Sequence, residues 1–334
     1  MSTSTLKICK AKIKEKKRVR NFILNSFYKK KHILAINSKL FNWQYVNDSL
    51  SCSIAVLKLK IIGLQLYIPL AQFDKSLKKN KEIFTSLWFT KKTEIISLGA
   101  KIFDYTLKTN KPNLIIGMGI PPYLISFHKK NNFIIEKMSH HFMFSPGKEI
   151  LTNKKNFYKL NICKISSIAD LKNKKINKLF NYQFPKKSLK YLDNRFIKHP
   201  VYKYFIYSIS YKKEECLCVF RVVRHGKKNI IRIVDYVGSN SFIKYLKNFY
   251  LHILDKYKSI HLDFYSYGLS DSFLKEGGLK NKKNYKNLII PNHFEPFENK
   301  NVDIMIAYLS LYKKNSNIRL FKADSDMDRP HFIG

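Results

Sequence analysis

The sequence predicts an α/β fold in which two similar domains follow one another. The chain has 334 residues, more than the roughly 250–300 residues that a single hydrophobic core usually supports. Hydrophobic residues make up 45% of it and aromatic residues 14%, enough for buried cores. One order of elements also occurs twice, namely a hairpin, a strand, a long helix, a strand, a short helix and a strand.

The predicted boundaries divide the chain into four segments. A basic stretch, "KAKIKEKKRVRNFILNSFYKKK", opens the sequence, and a Lys- and Asn-rich connector with one helix separates the two domains. The segments are 1–30, the basic N-terminal segment; 31–150, the first domain; 151–195, the connector; and 196–334, the second domain with an acidic C-terminal segment docked on it.

In the first domain, "HILAINSKLFNWQYVND" predicts a short strand and then an aromatic helix or turn. The alternating run around Gly63 predicts a hairpin, and "EIFTSLWFT" is typical of a strand. The spacing of Leu98, Ile102 and Tyr105 predicts the long helix. A strand, a short helix and a strand follow in "NLIIGMGI", "PYLISFHKKNN" and "IIEKMSHHFMF".

The second domain repeats this order. A hairpin is predicted in "VYKYFIYSISY" and "ECLCVFRVVRH", a strand in "NIIRIVDYVG" and the long helix in "SFIKYLKNFYLHILDKY". The remaining elements are a strand in "SIHLDFYSYG", a short helix in "LSDSFLKEGGL" and a last strand and loop in "NLIIPNHFEPF".

The net charge of +40 suggests a nucleic-acid partner, but the kind of charge argues against one. Only eight of the 63 basic residues are arginine, whose planar guanidinium favours bidentate contacts to phosphates and bases. The lysines are scattered, whereas a dedicated nucleic-acid surface concentrates them. DNA is therefore not an expected partner, and the basic N-terminus indicates at most peripheral contact with an anionic membrane.

Cysteine usage and hydropathy predict a cytoplasmic protein. The five cysteines are odd in number and only Cys216 and Cys218 are close together, so neither a disulfide framework nor a zinc site is predicted. No run reaches the roughly 18 apolar residues of a membrane span. The N-terminal stretch also lacks the apolar region of a signal peptide.

Eight short segments carry a resemblance to a known family. They are "FNWQYVND", "SLWFT", "IIGMGI", "HPVYKY", "IVDYVG", "LDFYSYGL", "IIPNHFEPF" and "KADSDMDRP". Together they resemble the GNAT acyl-CoA N-acyltransferases, and the tandem order is similar to the Fem peptidyltransferases and to GNAT-like proteins of bacterial surface-polysaccharide loci. The resemblance implies sheets that splay at their middle strands with acyl-CoA in the gap. It also implies acyl transfer to the amine of a nucleotide- or lipid-linked amino sugar.

The same resemblance places the CoA site after the fourth strand of each domain. GNAT enzymes usually carry Q/R-x-x-G-x-G/A there, where N–H groups at a helix start hold the pyrophosphate. The first domain offers Lys91, Lys92 and Gly99, and the second offers Gly238 and Ser239, without the full motif. This departure leaves two alternatives open. One is an aminoacyl-tRNA donor, as in the Fem enzymes, and the other is a non-catalytic scaffold that binds a glycan.

The candidate catalytic residues are Asp235, Asp263 and Tyr265. Both carboxylates lie in apolar strands, where an unpaired charge is costly to bury. Each therefore needs either an ion-pair partner, such as a nearby arginine, or a chemical role. Alternation along the strand places Asp263 and Tyr265 on one face. Acyl transfer requires a proton acceptor for the amine and a proton donor for the leaving group, which a carboxylate and a tyrosine can supply.

A loop between two prolines offers candidate substrate ligands. It contains Asn292, His293 and Glu295, and prolines on both sides make such a loop rigid. The alternative is a sharp turn that needs polar caps.

The acidic C-terminal segment offers further candidates. In an extended chain Asp324, Asp326 and Asp328 point to one side, with Arg329 beside them. This arrangement predicts a wall for a polar, cationic acceptor, and the alternative is a solvated tail. Calcium is not predicted, because Arg329 stands where the calcium-loop pattern needs glycine, and no metal is expected.

Overall fold

The computed structural model describes residues 5–27, 31–146, 158–172, 175–293, 297–312 and 318–333. The strands in these ranges are β1 (Lys7–Lys10), β2 (Cys52–Leu57), β3 (Lys60–Pro69), β4 (Glu82–Thr90), β5 (Leu114–Met118), β6 (Ile134–Lys137), β7 (Ser139–Phe144), β8 (Asn161–Ile165), β9 (Phe205–Tyr211), β10 (Glu214–His225), β11 (Lys228–Val237), β12 (Ser259–Tyr267), β13 (Lys280–Asn281), β14 (Met305–Ser310) and β15 (Leu320–Phe321). The α-helices are α1 (Lys16–Ser26), α2 (Ile33–Ile36), α3 (Ser38–Tyr45), α4 (Leu98–Asn110), α5 (Ile125–Lys130), α6 (Ala169–Lys172), α7 (Leu189–Leu192), α8 (Lys247–Lys256) and α9 (Asp271–Glu276).

Two compact units make up the chain. The first unit comprises Met1–Glu136, Met305–Lys313 and Ser325–Gly334. The second unit comprises Lys137–Ile304 and Lys314–Asp324. Each unit therefore combines a long segment with shorter pieces from near the C-terminus.

Each unit is built on one mixed sheet, and the two sheets have the same strand order. The first runs β1-β2-β3-β4-β5-β14-β6, and the second runs β8-β9-β10-β11-β12-β7-β13. In each, the fourth and fifth strands form a parallel pair, and the sixth place is taken by a strand from a distant part of the chain. The predicted α/β class with two similar mixed sheets is confirmed.

Both parallel pairs separate before their strands end. Strands β4 and β5 pair only from Glu82–Leu114 to Thr85–Gly117, although β4 continues to Thr90. Strands β11 and β12 pair only as far as Ile233 and Phe264, although both continue for several residues. Each sheet is therefore splayed at its middle strands.

Apolar helix faces cover the sheets. Leu98 and Ile102 of α4 pack on Ala55 of β2 in the first unit. A Cβ atom on Gly63 of β3 would lie 2.7 Å from Ile102 Cδ1, so glycine permits this close approach. In the second unit α8 contributes Phe249 to the main core. Among the described helices, none is long and apolar enough to cross a bilayer.

The structure corrects several predicted elements. The basic N-terminal segment contributes β1, and the connector contributes β8, as edge strands. The stretch read as one strand, "IIEKMSHHFMF", splits at Met138 into β6 and β7, which belong to different sheets. The strand expected near 288–292 is absent from the described residues there, and β14 was missed. The residues read as a first strand form α2, where the His32 side chain accepts the N–H of Leu34 and caps the helix.

We expect stability to fall in acid because His128 is buried as a neutral ring. It lies among Phe103, Phe127 and Phe133, and burial lowers its pKa to about 4. A lowered histidine pKa gives stability that is complete above the unfolded value and lost as pH falls towards the folded one. The free energy of unfolding should drop by up to about 1.4 kcal/mol per pH unit between about 6.5 and 4 from this residue.

Urea unfolding across this pH range measures the slope. His128→Phe, which keeps the aromatic packing, should reduce it, and His225→Gln, at an exposed position, should not. Equal slopes in the wild type and His128→Phe would contradict this account.

Candidate functional site

Asp235 lies at the end of β11 and is fully buried. Lys187 Nζ lies 2.8 Å from both of its carboxylate oxygens and 2.6 Å from Oδ1 of Asp324. The backbone N–H of Tyr236 donates to the same carboxylate at 2.8 Å. Asp235 thus has an ion-pair partner, but the partner is a lysine of the predicted connector rather than the expected arginine.

Lys187, Asp235 and Asp324 lie close enough for each charge to shift the pKa of a neighbour. Burial raises the pKa of Asp235 to about 6, although the Lys187 ammonium opposes the shift. Burial alone would lower the pKa of Lys187, but the Asp235 and Asp324 carboxylates outweigh it and raise that pKa. Lys187 is therefore a buried ammonium shared by two acids, and removing it would leave both acids without their cation.

Asp263 and Tyr265 of β12 belong to a second polar cluster in the second unit. Asp263 Oδ2 lies 3.5 Å from Arg232 Nη2 and 3.8 Å from His140 Nε2. The His140 ring stacks on Tyr265 with the centroids 3.9 Å apart. Asp263 and Tyr265 therefore share a strand face, as predicted, and His140 of β7 joins them.

Predicted Asn292 lies beside the same cluster. Its carbonyl accepts a hydrogen bond from Arg232, and its side-chain oxygen accepts one from Lys322. His293 lies in the same loop, where its carbonyl accepts the N–H of Glu298 at 2.9 Å. Glu295 falls outside the described residues. The structure thus brings together Asp263, Tyr265 and Asn292.

Charges in this cluster set the protonation of its members. Burial would raise the pKa of Asp263, but Arg232 and Lys322 hold it below its usual value. Burial lowers the pKa of His140 to about 3 despite the Asp263 carboxylate. At neutral pH Asp263 is ionised and His140 is neutral, so the His140 ring can accept a hydrogen bond but is a poor proton acceptor.

The gap between β11 and β12 is occupied by the chain itself. Strand β15 pairs with β12 beyond the point of separation, Phe321 opposite Ser266 and Leu320 opposite Tyr267. Arg319 Nη1 donates to the Gly238 carbonyl at 2.7 Å. The splayed region of the second unit is therefore filled by residues 318–324.

Gly238 and Ser239 are engaged in internal contacts. The Ser239 carbonyl accepts the Tyr236 hydroxyl at 2.7 Å, and its own hydroxyl caps the N–H of Phe242. A Cβ atom on Gly238 would lie 2.7 Å from Cys216 Cβ. These contacts argue against the predicted use of Gly238 and Ser239 in binding a pyrophosphate.

The acidic C-terminal segment is buried but not extended. Residues 322–324 form a 3₁₀-helix and 325–328 form turns, so the three aspartates do not point to one side and that expectation was wrong. Asp324 Oδ2 accepts the N–H of Phe321 at 2.7 Å in the second unit. Asp326, Asp328 and Arg329 belong to the first unit. The segment is therefore neither a solvated tail nor docked wholly on the second domain.

In the first unit, a polar network adjoins the place where β4 leaves β5. Pairing with β3 shifts register at Ser86 and Leu87, which marks a bulge in β4. The Tyr45 hydroxyl lies 3.0 Å from Ser86 Oγ and accepts the Gln44 amide at 2.8 Å. Arg329 Nη2 donates to Gln44 Oε1 at 3.1 Å.

Asp326 fixes the arginine of this network. Its Oδ2 accepts from Arg329 Nη2 at 3.1 Å, and its Oδ1 lies 3.6 Å from His331 Nε2. Although burial opposes it, His331 and Arg329 hold the pKa of Asp326 well below its usual range. Burial raises the pKa of Tyr45, with Asp326 acting in the same direction. At neutral pH Asp326 is ionised and Tyr45 retains its proton.

Solved structures share this arrangement at low sequence identity. The first is a putative acetyltransferase from Pyrococcus horikoshii, with 11% identity, a TM-score of 0.52, and coverage of 96% of this chain and 95% of the other. The second is a GCN5-related N-acetyltransferase from Anabaena variabilis, with 12% identity, a TM-score of 0.56, and coverage of 92% and 73%. The two units therefore have the GNAT fold.

A third structure agrees with this assignment of fold. It is a protein of unknown function from Enterococcus faecalis described as a probable N-acyltransferase, with 10% identity, a TM-score of 0.55, and coverage of 92% of this chain and 73% of the other. No protein-family model matches the sequence. No curated protein matches it in sequence either.

Helix α4 follows β4, so its start corresponds to the place where GNAT enzymes carry the glycine-rich loop. Ser97 precedes the helix with a left-handed φ of 56°, and Gly99 lies in its first turn, where a Cβ atom would lie 3.3 Å from Trp88. "TEIISLGA" thus has a glycine-like backbone at Ser97 and glycine at Gly99, in the G-x-G spacing of the GNAT loop. Lys91 and Lys92 are exposed just before it.

Several residues of these sites were missed from the sequence. Tyr45, Gln44 and Ser86 lie within segments that carried the family resemblance, "FNWQYVND" and "SLWFT", so a signal for them existed. No signal in the sequence pointed to Lys187 or His140. Their roles depend on contacts with residues that are far away in the chain.

Proposed function

We propose that the protein transfers an acyl group from acyl-CoA to an amine and that the gap between β4 and β5 of the first unit receives the donor. The observation that carries the proposal is the contrast between the two gaps. Past Thr85 and Gly117, no strand of the described residues pairs with the freed edges of β4 and β5. The corresponding gap of the second unit is filled by β15.

The residues at the start of α4 fit the pyrophosphate of CoA. The first N–H groups of a helix have no partner within it and attract anions. The left-handed Ser97 and the small Gly99 lie at this helix start, and Lys91 and Lys92 add positive charge. Acyl-CoA, when bound, supplies the activated thioester, and these residues hold its phosphates.

The network around Tyr45 adjoins the part of β4 that borders the gap. Tyr45 keeps its hydroxyl proton at neutral pH and holds Ser86 at the bulge, so it positions the freed part of β4. Asp326 is a poor proton acceptor, because Arg329 and His331 stabilise its ionised form. Its role is to orient Arg329 against Gln44. In the net transfer the C–N bond forms and the thioester C–S bond breaks, and the proton that the amine loses is matched by the one that the departing CoA thiol gains.

The acceptor class rests on the family resemblance. We propose the amine of a nucleotide- or lipid-linked amino sugar of a surface polysaccharide. The filled gap in the second unit supports a non-catalytic role for that region.

One CoA is expected to bind per chain, at the first unit. Ala100→Asp adds a negative charge at the start of α4, where an acid stabilises the helix but repels pyrophosphate. We expect it to weaken CoA binding at least about tenfold, or about 1.4 kcal/mol. Ser241→Asp places the same charge at the start of the 3₁₀-helix Ser241–Tyr245, which precedes α8 in the second unit, and should change affinity less than about twofold. Isothermal titration calorimetry gives both affinity and stoichiometry.

Equal effects of the two variants, or two CoA molecules per chain, would refute the assignment of the donor site. Thiol release with a panel of amino-sugar nucleotides tests the acceptor separately. Salt-sensitive retention of aminoacyl-tRNA without CoA binding would instead favour the Fem-like alternative.

A further inference from the structure

The second unit contains a cavity that the proposed acyl transfer does not use. Its volume is about 350 Å³, at the lower end of small-molecule sites. Three segments form its walls: 137–140, where β6 ends and β7 begins; 281–286, which starts with the last residue of β13; and 301–303. This cavity lies near the cluster of Asp263 and Tyr265, because His140 belongs to both.

The lining is strongly basic. Four lysines, Lys137, Lys282, Lys283 and Lys286, face a single acid, Asp303. Lys137 pairs with Asp303 at 2.7 Å, and Lys283 pairs with Asp271 at 3.2 Å. The cavity therefore has an excess of positive charge that an anionic ligand would neutralise.

Two of these lysines have no acidic partner in the described part of the chain. Lys282 Nζ donates to the Tyr285 carbonyl at 2.8 Å, which fixes its ammonium without neutralising it. Lys286 is exposed and forms no ion pair with a described residue. Both ammonium groups remain available to an anion.

The walls are held in place by hydrogen bonds. The N–H of Met138 donates to the Ile304 carbonyl at 3.0 Å, and the Tyr265 hydroxyl donates to the Val302 carbonyl at 3.1 Å. Asn301 accepts the N–H of Ile290 and donates to the Leu288 carbonyl. These hydrogen bonds fix the backbone of the cavity walls, so the cavity is preorganised.

Neutral donors and acceptors complete the lining. Ser139, Asn281 and Asn301 can each bond to phosphate oxygens, and His140 offers an aromatic ring backed by Tyr265. Phosphate groups are bound in proteins by this combination of ammonium, hydroxyl and amide donors. We propose that this cavity binds the phosphate or diphosphate group of a small molecule. The inference does not depend on acyl transfer.

The test compares two matched double variants. Lys282→Gln with Lys286→Gln removes the two unneutralised charges, and Lys227→Gln with Lys228→Gln removes two exposed charges of the same unit. Pyrophosphate and uridine diphosphate are titrated into each protein at low and high salt. We expect the first pair to lose at least about tenfold in affinity and the second less than about twofold.

Further arms identify the source of the phosphate and separate it from the CoA site. Vesicles of phosphatidylglycerol in phosphatidylcholine replace the soluble ligands, and selective loss of vesicle binding in the first pair assigns the phosphate to a lipid headgroup. Because the start of α4 also attracts pyrophosphate, both pairs of substitutions are compared in an Ala100→Asp background, where the difference between them should persist. The proposal is overturned if the protein with Lys282→Gln and Lys286→Gln binds every probe as the wild type does. It is also overturned if the two double variants lose affinity equally. Circular dichroism confirms that each variant is folded.

Discussion

Lys187→Met is expected to destabilise the protein by about 3–5 kcal/mol. The ammonium lies between Asp235 and Asp324, and all three side chains are buried. Breaking a buried ion pair from one side leaves an uncompensated charge, which costs far more than the net value of the pair. Here one substitution leaves two carboxylates without their cation. Urea unfolding followed by circular dichroism measures the loss.

Two controls separate charge from packing. Lys190→Met removes an exposed lysine three residues away and should change stability by less than about 0.5 kcal/mol. Adding Asp235→Asn and Asp324→Asn to Lys187→Met removes the stranded charges and should recover much of the loss. If the triple variant is no more stable than Lys187→Met alone, the charge explanation is wrong.

Gly268→Ala should lower the free energy of unfolding by about 2–5 kcal/mol and release β15 from the second sheet. Gly268 has a φ of +80°, and an added Cβ atom would lie 2.0 Å from the Ile318 carbonyl oxygen. A left-handed non-glycine residue costs about 1–2 kcal/mol, and overpacking adds about 1–3 kcal/mol. The displaced backbone would also strain the hydrogen bond from Arg319 to Gly238.

Gly226→Ala is the matched control for this substitution. Gly226 has a φ of +60°, and no heavy atom lies within 4 Å of its added Cβ. Its free energy of unfolding should fall only by the cost of a left-handed non-glycine residue, about 1–2 kcal/mol. Hydrogen exchange in residues 318–324 should accelerate at least about tenfold in Gly268→Ala but not in Gly226→Ala. Equal stability and exchange in both would show that the close approach at Ile318 is unimportant.

Local patterns in the sequence were sufficient to predict most elements. The strand predicted in "EIFTSLWFT" corresponds to β4, and the spacing from Leu98 to Tyr105 corresponds to α4. The repeated order also predicted two similar sheets. Such patterns are local properties of the chain, because they depend on which face of one element is buried.

Pairings between distant segments could not be predicted in this way. Strand β14 completes the first sheet and β7 the second, but alternation in a strand does not specify its neighbour. The high cost of burying Asp235 indicated that it needed a partner or a role, yet not that Lys187 supplies the charge. For the C-terminal acids, alternation was meaningful only in an extended chain, and the turns there removed its basis.

The position of β14 has a consequence for synthesis on the ribosome. Strand β5 is complete at Met118, but its antiparallel neighbour begins at Met305. Until that late segment emerges, the nascent polypeptide presents an unsatisfied edge of β5, which can template aggregation. Maturation of the first unit must therefore wait until residues 305–310 have been translated.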